Sequence, residues 1–132
     1  LLLDSIGGLA GLYSLAEVAI VGGGFLWPGG HNPLEPAQFG VPTLIGAHYA
    51  NFREVVEALR EAEAIAVASP DELASAVSNI LTHRQQALAM GQRARQVFEQ
   101  QAGATQRALT ALLALCEASR PSAQSEAVQV AP

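Results

Sequence analysis

The sequence predicts an α/β fold, in which a parallel sheet carries helices on both faces and is followed by C-terminal helices. Three observations lead to this prediction. Short apolar runs alternate with segments of helical spacing, which is the order expected of a parallel sheet. Glycines follow the second and third of these runs, where buried strands end. Half of the 132 residues are hydrophobic and only 14% are charged, which excludes a mainly disordered chain.

Four apolar runs are the predicted strands, at residues 1–4, 18–21, 43–45 and 65–67. The run 18–21 is continuously apolar and stops at three glycines, so we predict a central strand that is buried on both faces. The chain begins inside the first run, and we therefore expect it to be an N-terminally incomplete piece of a longer protein.

The segments between the runs carry helix signals. A first helix is predicted from apolar residues at helical spacing, namely Leu9, Leu12, Tyr13 and Ala16. Asn32 caps a short second helix, Pro33 lies in its first turn, and Gly40 ends it. A third helix carries an apolar stripe, with Asn51 as its cap; the stripe consists of Phe52, Val55, Val56 and Leu59.

The C-terminal third of the chain is predicted to be helical. Residues 69–72 form a capping box that opens a helix, whose buried face comprises Leu73, Val77, Ile80 and Leu81. Two more helices are predicted over 84–101 and 104–118, with Gly103 as the break. Cys116 lies on the apolar stripe of the last helix and is predicted to be a core residue. We expect one domain over residues 1–119 and a disordered tail over 120–132.

Composition excludes several classes of function. The net charge of −5 argues against a nucleic-acid partner, because such proteins are usually basic. A single cysteine excludes an internal disulfide framework and a multi-cysteine zinc site. His31 and Glu35 alone do not make a metal site, which needs three or four ligands. No apolar run reaches the length of a membrane span. We expect no cofactor.

Ligands of parallel sheets bind beyond the carboxyl ends of the strands. Three junctions lie there, at residues 4–8, 22–35 and 46–51, and all are rich in Gly, Asn or His. Gly7 and Gly8 either admit a ligand to the backbone or only form a tight turn. The glycines of 22–30 are interpreted either as a phosphate-binding loop or as a connector.

The residues before and within the second helix have two interpretations each. Glu35 either completes a capping box on the Asn32 N–H or accepts hydrogen bonds from a ribose diol. His31 either donates to a phosphate or carboxylate or is a packing residue. His48 and residues 51–53 are candidates for a wall of the same pocket, although Arg53 also fits a solvated helix position.

These residues resemble a known family. The strings D-S-I-G (residues 4–7), V-G-G-G (21–24), G-G-H-N-P-L-E-P-A (29–37) and N-F-R (51–53) occur in order in the chain. They are similar to the carboxyl half of the 3-deoxy-D-manno-octulosonic acid (Kdo) transferases. The resemblance implies a GT-B glycosyltransferase with two Rossmann-like domains. It moves Kdo from CMP-Kdo to the lipid A precursor, at the cytoplasmic face of the inner membrane.

By this resemblance the chain is most of the CMP-Kdo-binding domain. The implied donor-binding residues are Ser5, Ile6, Gly7, Gly23, Gly24, Gly30, His31, Asn32 and Glu35. The resemblance places the general base and the membrane anchor in another domain, so no catalytic residue is expected here and the isolated chain is expected to be inactive. Three positions depart from the pattern: Gly8 for a Glu, Gly24 for a Ser, and Trp27-Pro28 for polar or basic residues. The alternatives are a GT-B enzyme with a UDP-sugar donor and a non-catalytic nucleotide-binding module.

Overall fold

The structure is a computed structural model that describes residues 9–118. Three predicted features lie outside the described residues. They are the first strand, the tail 120–132, and the donor-binding candidates Ser5, Ile6 and Gly7. The chain divides into two compact units, with the boundary between Gln101 and Ala102.

The described sheet has three parallel strands: β1 (Ala19–Val21), β2 (Thr43–Ile45) and β3 (Ala66–Val67). They lie in the order β1-β2-β3, with Ala19 opposite Thr43 and Leu44 opposite Ala66. Three of the four predicted strands are therefore confirmed, and their direction is parallel as predicted.

Five helices are described, together with a 3-10 turn at Ala50–Phe52. They are α1 (Leu9–Tyr13), α2 (Leu34–Gln38), α3 (Arg53–Glu61), α4 (Leu73–Thr82) and α5 (Arg84–Ala118).

Helices cover both faces of the sheet. Leu44 and Ile45 are adjacent in β2 and fully buried, and their side chains point to opposite faces. Ile45 packs with Val56 and Leu59 of α3, whereas Leu44 packs with Ile80 of α4. The early turns of α5 contribute buried side chains to the packing on both faces of the sheet, Ala94 and Val97 on the Ile45 side and Ala87 on the Leu44 side. The predicted α/β class, with helices on both faces of a parallel sheet, is confirmed.

Local hydrogen bonds fix the ends of α2 as the sequence predicts. The Asn32 Oδ1 accepts the Leu34 N–H at 3.0 Å, so the Asn32 side chain satisfies a free donor at the start of the helix. Gly40 follows the helix with φ +67°, and the Val41 N–H returns to the Pro36 carbonyl at 3.2 Å. This is a Schellman motif, in which glycine is the favoured residue.

The predicted capping box before α4 is also confirmed. The Glu72 carboxylate accepts the Ser69 N–H at 3.0 Å, and the Ser69 hydroxyl accepts the Glu72 N–H at 3.3 Å. The Ser69 hydroxyl also donates to Glu72 at 2.8 Å. These bonds lower the pKa of Glu72, the Ser69 backbone bond most of all.

A close backbone contact joins α5 to the turn between α2 and β2. A Cβ atom on Gly91 would lie 1.9 Å from the carbonyl oxygen of Gly40 and 3.4 Å from the Cδ of Pro42. No other residue type fits at position 91 without moving the helix, because the obstacle is backbone. This contact was not foreseen from the sequence.

Two predictions about helix boundaries and caps are wrong. Gly103 does not break the last helix, since α5 is continuous over Arg84–Ala118. A glycine costs only about 1 kcal/mol in a helix, and its alanine neighbours favour helix. Asn51 is not a side-chain cap of α3, because it lies within the 3-10 turn that precedes the helix.

Three predictions about burial are also wrong. Ile20 in β1 is 49% exposed, since β1 is an edge of the described sheet and nothing there covers this side chain. Leu81 is 51% exposed at the far end of α4. Cys116 is exposed together with the leucines of its stripe, because periodicity identifies an apolar face without supplying its partner.

Candidate functional site

A cavity of about 670 Å³ lies alongside β1 and extends to its carboxyl end. It is lined by the β1 strand and by Gly22, the first residue of the loop that follows. The loop 22–32 therefore starts at the carboxyl edge of the sheet, as predicted for a ligand site of this fold.

His31, Asn32 and Glu35 form the polar wall of this cavity. The short helix α2 positions them, and the fully buried Pro33 and Pro36 anchor that helix in the core. Asn32 uses its side-chain oxygen on the Leu34 N–H and so fixes the turn. The structure thus brings together three of the residues that the sequence marked as donor-binding candidates.

Glu35 does not complete the capping box that was one of its two interpretations. Among the described residues, no hydrogen bond joins its carboxylate to the Asn32 N–H, and α2 has no side-chain bond at its assigned cap, Pro33. Glu35 is exposed in the first turn of α2 and faces the cavity. Both carboxylate oxygens are therefore available to a ligand.

Tyr13 lies at the end of α1, which packs against α2, and lines the same cavity. Burial raises the pKa of the Tyr13 hydroxyl, and the nearby negative charge of Glu35 raises this pKa further. The hydroxyl therefore stays protonated at neutral pH and can act as a hydrogen-bond donor. From the sequence, Tyr13 was assigned only to an apolar helix face.

Most of the remaining residues that line the cavity are apolar. Ile20 and Phe52 line it together with Val18. Ile20 is half-exposed because it points toward this space. Among the described lining residues, His31 is the one side chain able to carry a positive charge, and Glu35 carries a negative one.

The candidate glycines Gly23, Gly24 and Gly30 contact protein rather than line this cavity. Gly23 has φ +78°, and a Cβ there would lie 2.7 Å from the ring of His31, so the glycine makes room for that ring. A Cβ on Gly30, which has φ +72°, would lie 3.1 Å from the His48 carbonyl oxygen. These glycines shape the site by allowing close packing around it.

Gly24 and Gly46 interlock the loops that follow β1 and β2. The Gly24 carbonyl accepts the His48 N–H at 3.0 Å. A Cβ on Gly46 would lie 2.1 Å from the same carbonyl oxygen. The two loops are thus held together by backbone, and Gly46 is a structural requirement that sequence reasoning did not single out.

The predicted common wall of His48 and residues 51–53 is only partly confirmed. Phe52 lines the main cavity, whereas His48 and Arg53 line a separate cavity of about 210 Å³ together with Pro28 and Gly29. Arg53 is exposed and lies 3.9 Å from Glu57, in agreement with a solvated helix position. His83 is likewise exposed.

The described residues show neither a metal site nor a membrane-spanning helix. Within residues 9–118, no three histidine, cysteine or acidic side chains converge as they would around a metal ion. None of the described helices combines the length and the apolar character needed to cross a bilayer.

Comparisons with known proteins identify relatives. The chain is 35% identical over 111 residues to the 3-deoxy-D-manno-octulosonic acid transferase of Haemophilus influenzae. The matched region covers 83% of this chain and 26% of that protein. The chain is 37% identical over 116 residues to the transferase of the same name from Bordetella pertussis, covering 85% of this chain and 26% of that protein. The chain is a homologue of the Kdo transferases. No protein-family model matches it.

A solved structure resembles this Kdo transferase homologue. It is the crystal structure of the C-terminal CMP-Kdo binding domain of WaaA from Acinetobacter baumannii, with a TM-score of 0.68 and 32% identity over 72% of this chain and 50% of that one. The likeness confirms the predicted Rossmann-like fold class. The chain spans about a quarter of the length of the two transferases named above.

Proposed function

We propose that this chain is the donor-binding part of a Kdo transferase, a glycosyltransferase that moves Kdo from CMP-Kdo to a lipid A precursor in lipopolysaccharide biosynthesis. One observation carries the proposal. The polar wall of His31, Asn32 and Glu35 lies at the carboxyl edge of a parallel sheet in a chain that resembles a CMP-Kdo binding domain.

The roles of the wall follow from the chemistry of the donor. CMP-Kdo offers a ribose diol, a phosphate and the carboxylate of the sugar. We assign the diol to Glu35, because a carboxylate offers two acceptors to two adjacent hydroxyls. We assign the anionic part to His31, which lines the same wall and is able to carry a positive charge. This arrangement keeps the negative charge of Glu35 away from the phosphate.

Two groups of residues complete the proposed site. Ser5, Ile6 and Gly7 are assigned to the nucleotide from the family resemblance. Gly23, Gly24 and Gly30 support the wall by allowing the close contacts described above.

The remaining functions are assigned to a preceding domain. The homologues are about four times as long as the part this chain matches, which leaves room for a second Rossmann-like domain. We assign to that domain the general base, the contact with the lipid A precursor, and membrane association at the cytoplasmic side of the inner membrane. The isolated chain is therefore expected to bind donor without transferring Kdo, since general-base assistance is worth about 10²–10⁴-fold.

Binding of nucleotides to the chain tests the proposal. We expect CMP to bind with measurable heat in isothermal titration calorimetry, and UMP to bind more weakly. Amide shifts of residues 31–35 on addition of CMP would locate the ligand. Tighter binding of UMP would favour a UDP-sugar donor, and absence of binding by either nucleotide would refute a donor-binding role. Kdo transfer by the purified chain would refute the two-domain assignment.

A further inference from the structure

Tyr13 and Glu35 face one cavity from two different helices. We infer that Tyr13 is a specificity-determining residue, whose hydroxyl donates a hydrogen bond to a ribose hydroxyl that Glu35 accepts from. Together the two side chains distinguish a ribonucleotide from its 2′-deoxy analogue. This inference rests on the proposed function, because it names the part of the nucleotide that the site recognises.

The backbone places the two side chains for this task. Tyr13 is the last residue of α1, Glu35 is in the first turn of α2, and these two helices pack against each other. Both side chains line the cavity of about 670 Å³. Both side chains are therefore placed by helices that contact each other, and neither lies in a loop.

The two groups are close without being bonded to each other. Glu35 is near enough to raise the pKa of the Tyr13 hydroxyl, yet no hydrogen bond joins the two groups in the described structure. Neither side chain has another hydrogen-bond partner among residues 9–118. A half-buried phenol and a carboxylate thus both present unused hydrogen-bonding capacity to the same space.

A vicinal diol satisfies this pair better than other groups do. A carboxylate only accepts hydrogen bonds, and a neutral phenol beside it remains a donor. The two hydroxyls of a ribose donate both protons to Glu35 and leave a lone pair for the Tyr13 proton. A 2′-deoxyribose lacks one hydroxyl and leaves a partner unsatisfied, which is the situation that gives selectivity against a missing group.

The test compares CMP with 2′-deoxy-CMP on the wild-type chain and on Tyr13→Phe, Glu35→Gln and the double variant. We expect wild type to prefer CMP. Tyr13→Phe should weaken CMP by about 3- to 10-fold, as for loss of one neutral hydrogen bond, and should affect 2′-deoxy-CMP less. The double variant should lose less than the product of the single effects, because both groups act on one diol.

Tyr49→Phe is the matched control. Its hydroxyl accepts a hydrogen bond from Arg60 at 3.1 Å and does not line this cavity, so the variant should bind CMP as wild type does. Equal affinity of wild type for CMP and 2′-deoxy-CMP would overturn the inference without any variant. So would unchanged CMP preference in Tyr13→Phe. Failure of wild type to bind CMP would instead refute the proposed function beneath it.

Discussion

The substitution Gly91→Ala is predicted to destabilise the chain, against the usual trend. In an ordinary helix interior this change stabilises by about 1 kcal/mol, because glycine has more conformational freedom to lose. Gly91 is buried in α5, where the added Cβ would lie 1.9 Å from the Gly40 carbonyl oxygen. Real Cβ atoms do not approach heavy atoms more closely than about 3 Å. The helix and the turn must therefore separate by about 1 Å.

The magnitude follows from two opposing effects. Overpacking of a core typically costs about 1–3 kcal/mol, and the upper end applies because the obstacle is backbone. The Gly40 carbonyl belongs to a left-handed turn with φ +67°, so it cannot rotate aside as a side chain would. After the gain in helix propensity is deducted, we expect a net loss of about 2 kcal/mol. This corresponds to a fall in Tm of roughly 6–12 °C for a chain of this size.

Thermal and urea unfolding followed by circular dichroism measure this loss. Gly103→Ala is the matched control in the same helix, because its Cβ would meet only the flexible end of Arg107, at 3.3 Å. That variant should be neutral or stabilised by up to about 1 kcal/mol. A Gly91→Ala chain as stable as wild type would show that the helix and the turn are not in contact.

Three further predictions concern carboxylates. Glu35→Gln should weaken CMP binding by about 5- to 150-fold, which is the loss expected for hydrogen bonds to a charged group, and should leave thermal melting unchanged. The control is Glu54→Gln, which removes a first-turn carboxylate from α3 and should bind CMP as wild type does. The pKa of Glu72 is lowered from its ordinary value of 4.5 in the folded chain. The stability that Glu72 contributes is therefore present above the ordinary pKa and is lost as the pH falls through the pKa of the folded state. Glu72→Gln should flatten the acid limb of a profile of stability against pH. Glu63 follows α3 with φ +51°, a backbone conformation in which glycine is favoured. Glu63→Gly should therefore raise the free energy of unfolding by about 0.5–1 kcal/mol, although it removes the exposed ion pair with Arg93. A lower free energy of unfolding would show that the ion pair contributes more than the backbone strain.

The sheet was predictable because its signals are local. An apolar run such as 18–21 that stops at glycines leaves few alternatives to a buried strand. Caps are equally local, as Asn32 and the Ser69–Glu72 box show, since each bond joins residues two or three positions apart. Contacts distant in the chain leave no such signal. Nothing around Gly40 or Gly91 alone indicates that the two backbones meet.

The candidate site was predictable to the extent that its chemistry is polar. His31, Asn32 and Glu35 were recognisable because they cluster at a strand-to-helix junction. Tyr13 was missed because an aromatic residue at helical spacing also fits an apolar face, and the pattern does not show which way its hydroxyl points. The burial of Ile20 was misjudged for a similar reason. Isoleucine is typical of a protein core, but at this edge of the described sheet no neighbour covers its side chain.

The order of the strands in space has a consequence for how the chain is made. In the described sheet each strand pairs with the one that precedes it in the sequence, since β2 lies between β1 and β3. A nascent chain emerging from the ribosome therefore adds β2 and then β3 to an edge of the described sheet that already exists. No described strand must be inserted between two earlier ones, so parallel pairing, which is slow when it joins remote segments, proceeds here through short crossovers in the direction of synthesis.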